Sequence, residues 1–264
     1  MEFRHKKKWG QHFLHDPNIA CKIVAQAALR PDDIAWEVGA GQGILTRELL
    51  EHADRALSFE IDAALLPGLE SAFAAEIDDG RLTIVQQDVL RADWESLLPP
   101  VPVKLVANLP YQITSPFLFK LAGLAPRFTL AVLMMQREVA LRLRAGPGTK
   151  DYGILGLKLR YHFDIEYLFT VEPHLFVPPP NVRSAVVRLR PRDEKPAVPD
   201  VALYYRLIEI AFSNRRKMLR RNLRTMLDGE QLRELGQSFD LSRRGESLDE
   251  SEFVAMCRAI AALR

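Results

Sequence analysis

Three clusters of residues have the types and spacing to do chemistry. EVGAGQG, residues 37–43, puts Gly39, Gly41 and Gly43 between an apolar run and a helical pattern. Glycines at such a turn let the backbone approach a ligand closely, and a helix start offers unpaired amides. Glu60 and Asp88 close the next two apolar runs. An acid roughly 20 residues past such a turn can accept from ribose hydroxyls, and one at the following strand end can accept from an exocyclic amine. NLPY, residues 108–111, closes a fourth run with an amide, a proline and an aromatic ring. The Asn108 side-chain oxygen and the Leu109 carbonyl can hold the hydrogens of an amino group. Pro110 fixes its own φ and biases Leu109 to an extended conformation. Tyr111 can stack on an unpaired base. The three clusters together point to an adenosyl ligand lying beside a planar, amino-bearing base.

The elements that must position these residues are legible as alternating patterns. Strands are predicted at 33–38, 55–61, 82–87, 103–107, 129–135, 165–171 and 184–189, and helices at 18–29, 43–53, 63–75 and 115–124. Strand-helix alternation predicts an α/β fold with a parallel, doubly wound sheet. The last two strands, separated mainly by FVPPPNV, are expected as an antiparallel pair at one edge, because parallel neighbours need a long connection. In such sheets ligands bind outside the carboxyl ends of the strands. PRDEKPAVPD, residues 191–200, reads as a linker. Beyond it helices are predicted at 201–212, about 215–227, 230–236 and 249–262. The expected division is therefore a sheet domain over 1–195 and a small all-helical domain over 196–264.

Composition narrows the class. With 264 residues, 48% of them hydrophobic, the chain can bury one good core and a small second one. No run of 18 apolar residues occurs, so no membrane span is expected. The basic start MEFRHKKKWGQHFL lacks the apolar stretch of a secretory signal. Cys21 and Cys257 give neither metal spacing nor a disulfide framework, which fits a reducing cytoplasm. The net charge is only +2, but it is unevenly spread. Arg4, Lys6, Lys7 and Lys8 form one cationic island. Residues 203–227 form a second, with Arg206, Arg215, Arg216, Lys217, Arg220, Arg221 and Arg224 against Glu209 alone. Such islands on an otherwise acidic chain suggest a polyanionic partner. On a helix over 215–227, Arg216, Lys217, Arg220, Arg221 and Arg224 would span about 140° of one face. Phe212, Met218, Leu219, Leu223 and Met226 would take the other, and the cations would contact RNA phosphates.

The glycine turn does not match a dinucleotide site, since Ile44 stands where the third glycine of G-x-G-x-x-G is needed. E-x-G-x-G-x-G is instead the pattern of S-adenosylmethionine-dependent methyltransferases. NLPY resembles the [DNS]-P-P-[YFW] signature of enzymes that methylate exocyclic amino nitrogens. An adenine N6 lone pair is delocalised into the ring, and two acceptors on its hydrogens favour a pyramidal nitrogen aimed at a methyl sulfonium. Positioning then supplies most of the rate. The target base must leave its stack. Phe176 in FVPPPNVRSAVV is a candidate second wall for it, and GPGTKDYGIL, residues 146–155, reads equally as a gate or as a surface loop.

In order along the chain, KKKWGQHFL, EVGAGQG, FEID, QQD, NLPYQI, QREVALRL, KDYGIL, FVPPPNVRSAVV and FSNRRKMLRRNL resemble the small-subunit rRNA adenine N6,N6-dimethyltransferases, and they cover nearly the whole chain. The resemblance implies a Rossmann-like class I methyltransferase fold with a seven-stranded, mostly parallel sheet and a small helical domain. It implies S-adenosylmethionine as donor, no metal, and dimethylation of two adjacent adenosines in the 3′-terminal hairpin of small-subunit (16S) rRNA. It also implies a role in assembly of the 30S particle. The cofactor positions it carries over are His12, Leu14, Gly39, Glu60, Asp88 and Asn108, to which the turn adds Gly41 and Gly43. His12 stands where the family usually has asparagine, Gln112 replaces a common asparagine and Ala40 a usual proline. A large-subunit adenine methyltransferase of the macrolide-resistance type, an N6-adenine DNA methyltransferase and an assembly factor without catalysis are the alternatives. FSNRRKMLRRNL, the lack of a target-recognition domain, and the intact Glu60, Asp88 and NLPY argue against these in turn. Nothing in the sequence demands more than a monomer.

Overall fold

A computed structural model describes residues 11–263. Its strands are β1 (Phe13–Leu14), β2 (Ile34–Val38), β3 (Arg55–Glu60), β4 (Leu82–Gln86), β5 (Val103–Asn108), β6 (Phe128–Gln136), β7 (Phe163–Val171), β8 (Phe176–Val177) and β9 (Ser184–Pro191). Seven of them form one sheet in the order β4-β3-β2-β5-β6-β9-β7. The first five run parallel, and β9 pairs antiparallel with both β6 and β7. The expected parallel sheet with an antiparallel edge pair is thus present. The chain leaves β2 toward β3 on one side and returns at β5 on the other. The carboxyl ends of these strands open the crevice that such a reversal creates. A two-stranded pairing of β1 with β8 was not anticipated, because two residues carry no readable period.

Parallel strands covered on both faces read as continuous apolar runs. Trp36 of β2 shows why: it is fully buried, and Phe59, Trp94 and Phe128 meet it edge-on at 5.3–6.0 Å between ring centroids. On another face Leu45 and Leu49 of the helix Ile44–His52 pack with Ile23, Val24 and Val132.

The chain divides into two compact units. One holds the described residues up to Ala140 together with Phe163–Pro191; the other holds Leu141–His162 together with Arg192 onward. A single cut at 195 is therefore corrected: the segment 141–162 belongs with the C-terminal helices. Tyr152 in that segment is buried, and its hydroxyl donates to the Leu248 carbonyl at 2.7 Å. Lys158 pairs with Glu209 at 2.5 Å. Tyr152 thus anchors KDYGIL to the core of the second unit, while Lys150 stays exposed and the other four residues are half-buried.

The helices of the second unit include Val201–Phe212, Gly229–Ser238 and Glu250–Ala262, the last two opened by Asp-based capping boxes. The helix expected over 215–227 is only Leu219–Leu223. Buried Asn222 explains part of the break, since its amide donates to the Ala211 and Asn214 carbonyls and holds the chain in a turn. Met218, expected on the apolar face, is exposed and bridges to Arg244.

Candidate functional site

The glycine turn begins where β2 ends. Gly39, Gly41 and Gly43 have φ of 79°, 59° and 82°, a region that side chains with a Cβ rarely adopt. Their roles separate. A Cβ on Gly41 would meet the Phe13 ring at 3.1 Å, and one on Gly43 would meet Phe73 at 2.5 Å. Gly43 caps the helix Ile44–His52 and borders no cavity of the site, so its expected cofactor contact is corrected to a packing role. Gly39 borders three adjoining cavities, which makes them parts of one crevice.

The first cavity, about 190 Å³, is lined by Gln11, Phe59, Glu60, Ile61, Gln87, Asp88, Val89, Pro110 and Ile113 among others. Apolar walls with an acid at each of two strand ends suit an adenosine. Glu60 is buried; one oxygen accepts from the Gly41 amide at 2.9 Å and the other from the Asp62 amide at 2.8 Å. Burial raises its pKa, while these donors hold it down. Asp88 accepts from the Leu90 amide at 2.9 Å, which turns its carboxylate at the mouth of β4. Lys120 donates to the Leu90 and Ala92 carbonyls at 2.9 and 2.6 Å and braces that loop.

The second cavity is lined by Phe13, Leu14, Glu37, the turn 39–42, Ile44, Leu45 and Asn108. Glu37 was missed by sequence reasoning, although it opens the E-x-G-x-G-x-G pattern that was read. It is fully buried. One oxygen accepts from Thr46 and Ser58, each at 2.6 Å, and the other, Oε1, has no partner. Burial pushes its pKa up to about 7. An orphaned buried acceptor beside positive-φ amides fits the ammonium end of an amino-acid moiety. Leu14 is also buried in the core, so it shapes this cavity from behind.

The third cavity is lined by Gln11, His12, Phe13, Gly39, Asn108, Leu109, Pro110 and Tyr111. Leu109 is buried, and its amide donates to Met134 at 3.0 Å, which ties the NLPY turn to β6. Asn108 Nδ2 donates to the His12 carbonyl at 3.4 Å. The Tyr111 hydroxyl bonds to buried Ser184 at 2.8 Å, and burial raises its pKa, so it stays protonated at neutral pH. Phe176 is corrected here. It is 2% exposed and packs in the core through β8, so it offers no open face to a base.

All five cations expected to meet RNA, Arg216, Lys217, Arg220, Arg221 and Arg224, are exposed, though on turns and one short helix rather than one long face. Arg215 differs. It pairs with Glu246 at 3.0 Å and donates to the Lys150, Thr149 and Tyr152 carbonyls, so it fastens the second unit. The N-terminal island of Arg4, Lys6, Lys7 and Lys8, with the start of KKKWGQHFL, lies outside the described residues.

A crevice with acids at two strand ends, a buried Glu37 and an NLPY mouth can be compared with known proteins. The family model described as ribosomal RNA adenine dimethylase matches residues 2–256. The chain belongs to this family. It is accordingly an rRNA adenine dimethyltransferase that uses S-adenosylmethionine. It is similar to a ribosomal RNA small subunit methyltransferase A of Laribacter hongkongensis, 44% identical over 95% of this chain and 94% of that one. A protein of the same description from Geobacillus thermodenitrificans is 41% identical over 99% of this chain and 92% of its own length. Among solved structures, a dimethyladenosine transferase from Plasmodium falciparum matches with a TM-score of 0.80 at 27% identity, over 93% of this chain and 96% of that one. The 23S rRNA methyltransferase ErmE matches with a TM-score of 0.72, also at 27%, over 94% and 99%.

Proposed function

We propose that this chain dimethylates N6 of two adjacent adenosines in the 3′-terminal hairpin of small-subunit (16S) rRNA, acting as a monomer on the assembling 30S particle in the cytoplasm. One observation carries the reading. Asn108 borders both the cavity of the glycine turn and the cavity of Tyr111, so one carboxamide stands between donor and acceptor sites. The relatives named for the small subunit, near 40% identity, favour that rRNA over the large-subunit alternative.

The donor, when bound, supplies an electrophilic methyl group on a sulfonium. Glu60 and Asp88 would hold its adenosine and Glu37 its ammonium. Asn108 Oδ1 and the Leu109 carbonyl accept from N6, which localises the nitrogen lone pair. Tyr111, anchored by Ser184, stacks on the extruded base. Fixing the two reactants supplies most of the rate, and the proton leaves N6 after transfer. Arg216, Lys217, Arg220, Arg221 and Arg224 supply phosphate contacts that position the RNA without reading its sequence.

The test is transfer from labelled S-adenosylmethionine to small-subunit particles lacking these methyl groups, with large subunits and duplex DNA as controls. Dimethyladenosine at the 3′-terminal hairpin is the expected product. Label on large subunits or DNA instead would transfer the chain to the corresponding alternative. No label anywhere, with cofactor bound, would leave an assembly factor.

A further inference from the structure

We propose that Lys120 is a positioning residue for the adenine of the cofactor, acting on Asp88 through the backbone of Leu90. The proposal rests on the reading just given, in which Asp88 helps to hold the adenosine; its strand-end carboxylate is the acceptor for the exocyclic amine. Lys120 Nζ donates to the Leu90 carbonyl at 2.9 Å and to the Ala92 carbonyl at 2.6 Å. The Leu90 amide donates in turn to Oδ1 of Asp88 at 2.9 Å. Leu90 is thus held on both sides, and the orientation of the Asp88 carboxylate follows from where Lys120 holds it.

Lys120 also ties together two segments that line the first cavity. That lining comes in part from Asp88 and Val89, beyond β4, and in part from Pro110 and Ile113, beyond β5. Ile113 caps the helix Thr114–Gly123, and Lys120 lies two turns along it on the same face. The helix that leads out of one segment therefore clamps the loop that leads out of the other. Trp94 clamps the same loop: its Nε1 donates to the Val89 carbonyl at 2.9 Å, and Lys120 Nζ lies 5.1 Å from its ring centroid. An ammonium suits this place, since it carries three donors and its bonds to carbonyls are charge-assisted. It also stands in the field of Asp88 and Asp93, whose charges oppose the fall in its pKa that burial causes. Oδ2 of Asp88 has exposed Arg91 at 3.7 Å, a surface pair weak enough for a purine amine to displace.

The experiment compares Lys120→Met, which keeps the length and loses the donors, with Lys120→Gln and Lys120→Arg. Affinity for S-adenosylhomocysteine is measured by calorimetry without RNA. So is affinity for S-inosylhomocysteine, which carries a carbonyl oxygen in place of the exocyclic amine. KM for S-adenosylmethionine and kcat are measured on unmethylated small-subunit particles. Wild type should prefer the adenine product, because an acceptor that faces a carbonyl is left unpaired. In Lys120→Met the adenine product should bind about tenfold more weakly and the inosine product about as in wild type, so that the preference shrinks about tenfold. KM should rise by a similar factor, with kcat lowered no more than about threefold. Lys120→Arg should recover most of the preference, and Lys120→Gln, which keeps a donor without the charge, should fall between. The Gln variant decides the matter if the Met variant does not fold. An unchanged preference in either variant, with lowered thermal stability alone, would make Lys120 a purely structural brace and overturn the proposal. A loss confined to kcat would overturn it as well. Wild-type enzyme that binds both products equally would remove Asp88 from the adenine, and the proposal with it. The affinities need no RNA, so their outcome is separate from which rRNA the enzyme labels.

Discussion

The crevice and the cationic segment make contrasting demands on the chain. In the crevice the position of the main groups follows from the sheet: Glu60 ends β3, Asn108 ends β5, and Gly39 bonds back through its amide to the Phe59 carbonyl at 2.9 Å. Shifting any of these by a residue would turn it to the other face. The segment 215–227 tolerates far more. Its expected helix is broken, yet Arg216, Lys217, Arg220, Arg221 and Arg224 remain exposed. A screened phosphate contact needs charge within reach. Transfer to N6 needs atoms held to a fraction of an ångström. The difference in tolerance follows from those two kinds of chemistry.

Asn108→Ala breaks the comparison on its rigid side. Turnover should fall roughly 10²–10³-fold, with cofactor affinity changed only a few-fold, as single-turnover rates and calorimetry would reveal. Near-normal turnover would remove Asn108 from the reaction.

Glu37 tests burial in the crevice. Its pKa is raised from 4.5 to about 7, so the folded state holds this proton more tightly than the unfolded state. The stability linked to it is fully present below pH 4.5 and is lost as pH rises through about 7, by roughly 3 kcal/mol at the upper end. Glu37→Gln should remove this decline from urea-melt stability across that window, leaving the decline from Glu60 opposed by the rise from His162, whose pKa burial lowers to about 4. An unchanged slope would mean that Glu37 is not the titrating group.

The turn glycines sharpen the contrast within the crevice itself. Gly43→Ala should destabilise by about 2–3 kcal/mol, because left-handed strain adds to a collision with Phe73. Gly39→Ala meets only ordinary contact at the Asn108 carbonyl, 3.5 Å away. It should lose about 1–2 kcal/mol and act mainly on cofactor affinity. Equal effects in denaturation would contradict the division between packing and binding glycines.

The smallest stability effects belong to the cationic side. Arg215→Ala should lower the stability of the second unit by about 1–2 kcal/mol through its carbonyl and Glu246 contacts. Replacing Arg216, Lys217, Arg220, Arg221 and Arg224 together by alanine should change stability by under about 0.5 kcal/mol. It should also flatten the dependence of RNA binding on salt. A full salt slope in that variant would place the phosphate contacts elsewhere.

The same contrast decides what was legible in the sequence. The sheet and its strand-end residues were, because apolar runs, glycines and acids recur at fixed offsets. Phe176 misled because a ring on a proline-rich loop reads the same whether its loop stands open or pairs, as β8 does, with two residues of β1. Tyr152 and the segment 141–162 misled because membership of a core set by distant helices leaves no local period. Met218 and the short helix misled for a related reason: Asn222 reaches back eleven residues to the Ala211 carbonyl, and to that of Asn214, and so holds the chain in a turn ahead of the helix. Glu37 was visible but unread, since a buried, half-satisfied carboxylate looks in sequence like any other acid.

The most direct test of this division of labour is single-turnover methyl transfer as a function of small-subunit particle concentration, for Asn108→Ala and for the five-cation variant side by side. The account predicts that Asn108→Ala lowers the rate at saturation, while the five-cation variant reaches the wild-type rate but needs more RNA to do so. A five-cation variant with a depressed plateau, or an Asn108→Ala enzyme rescued by added RNA, would contradict it.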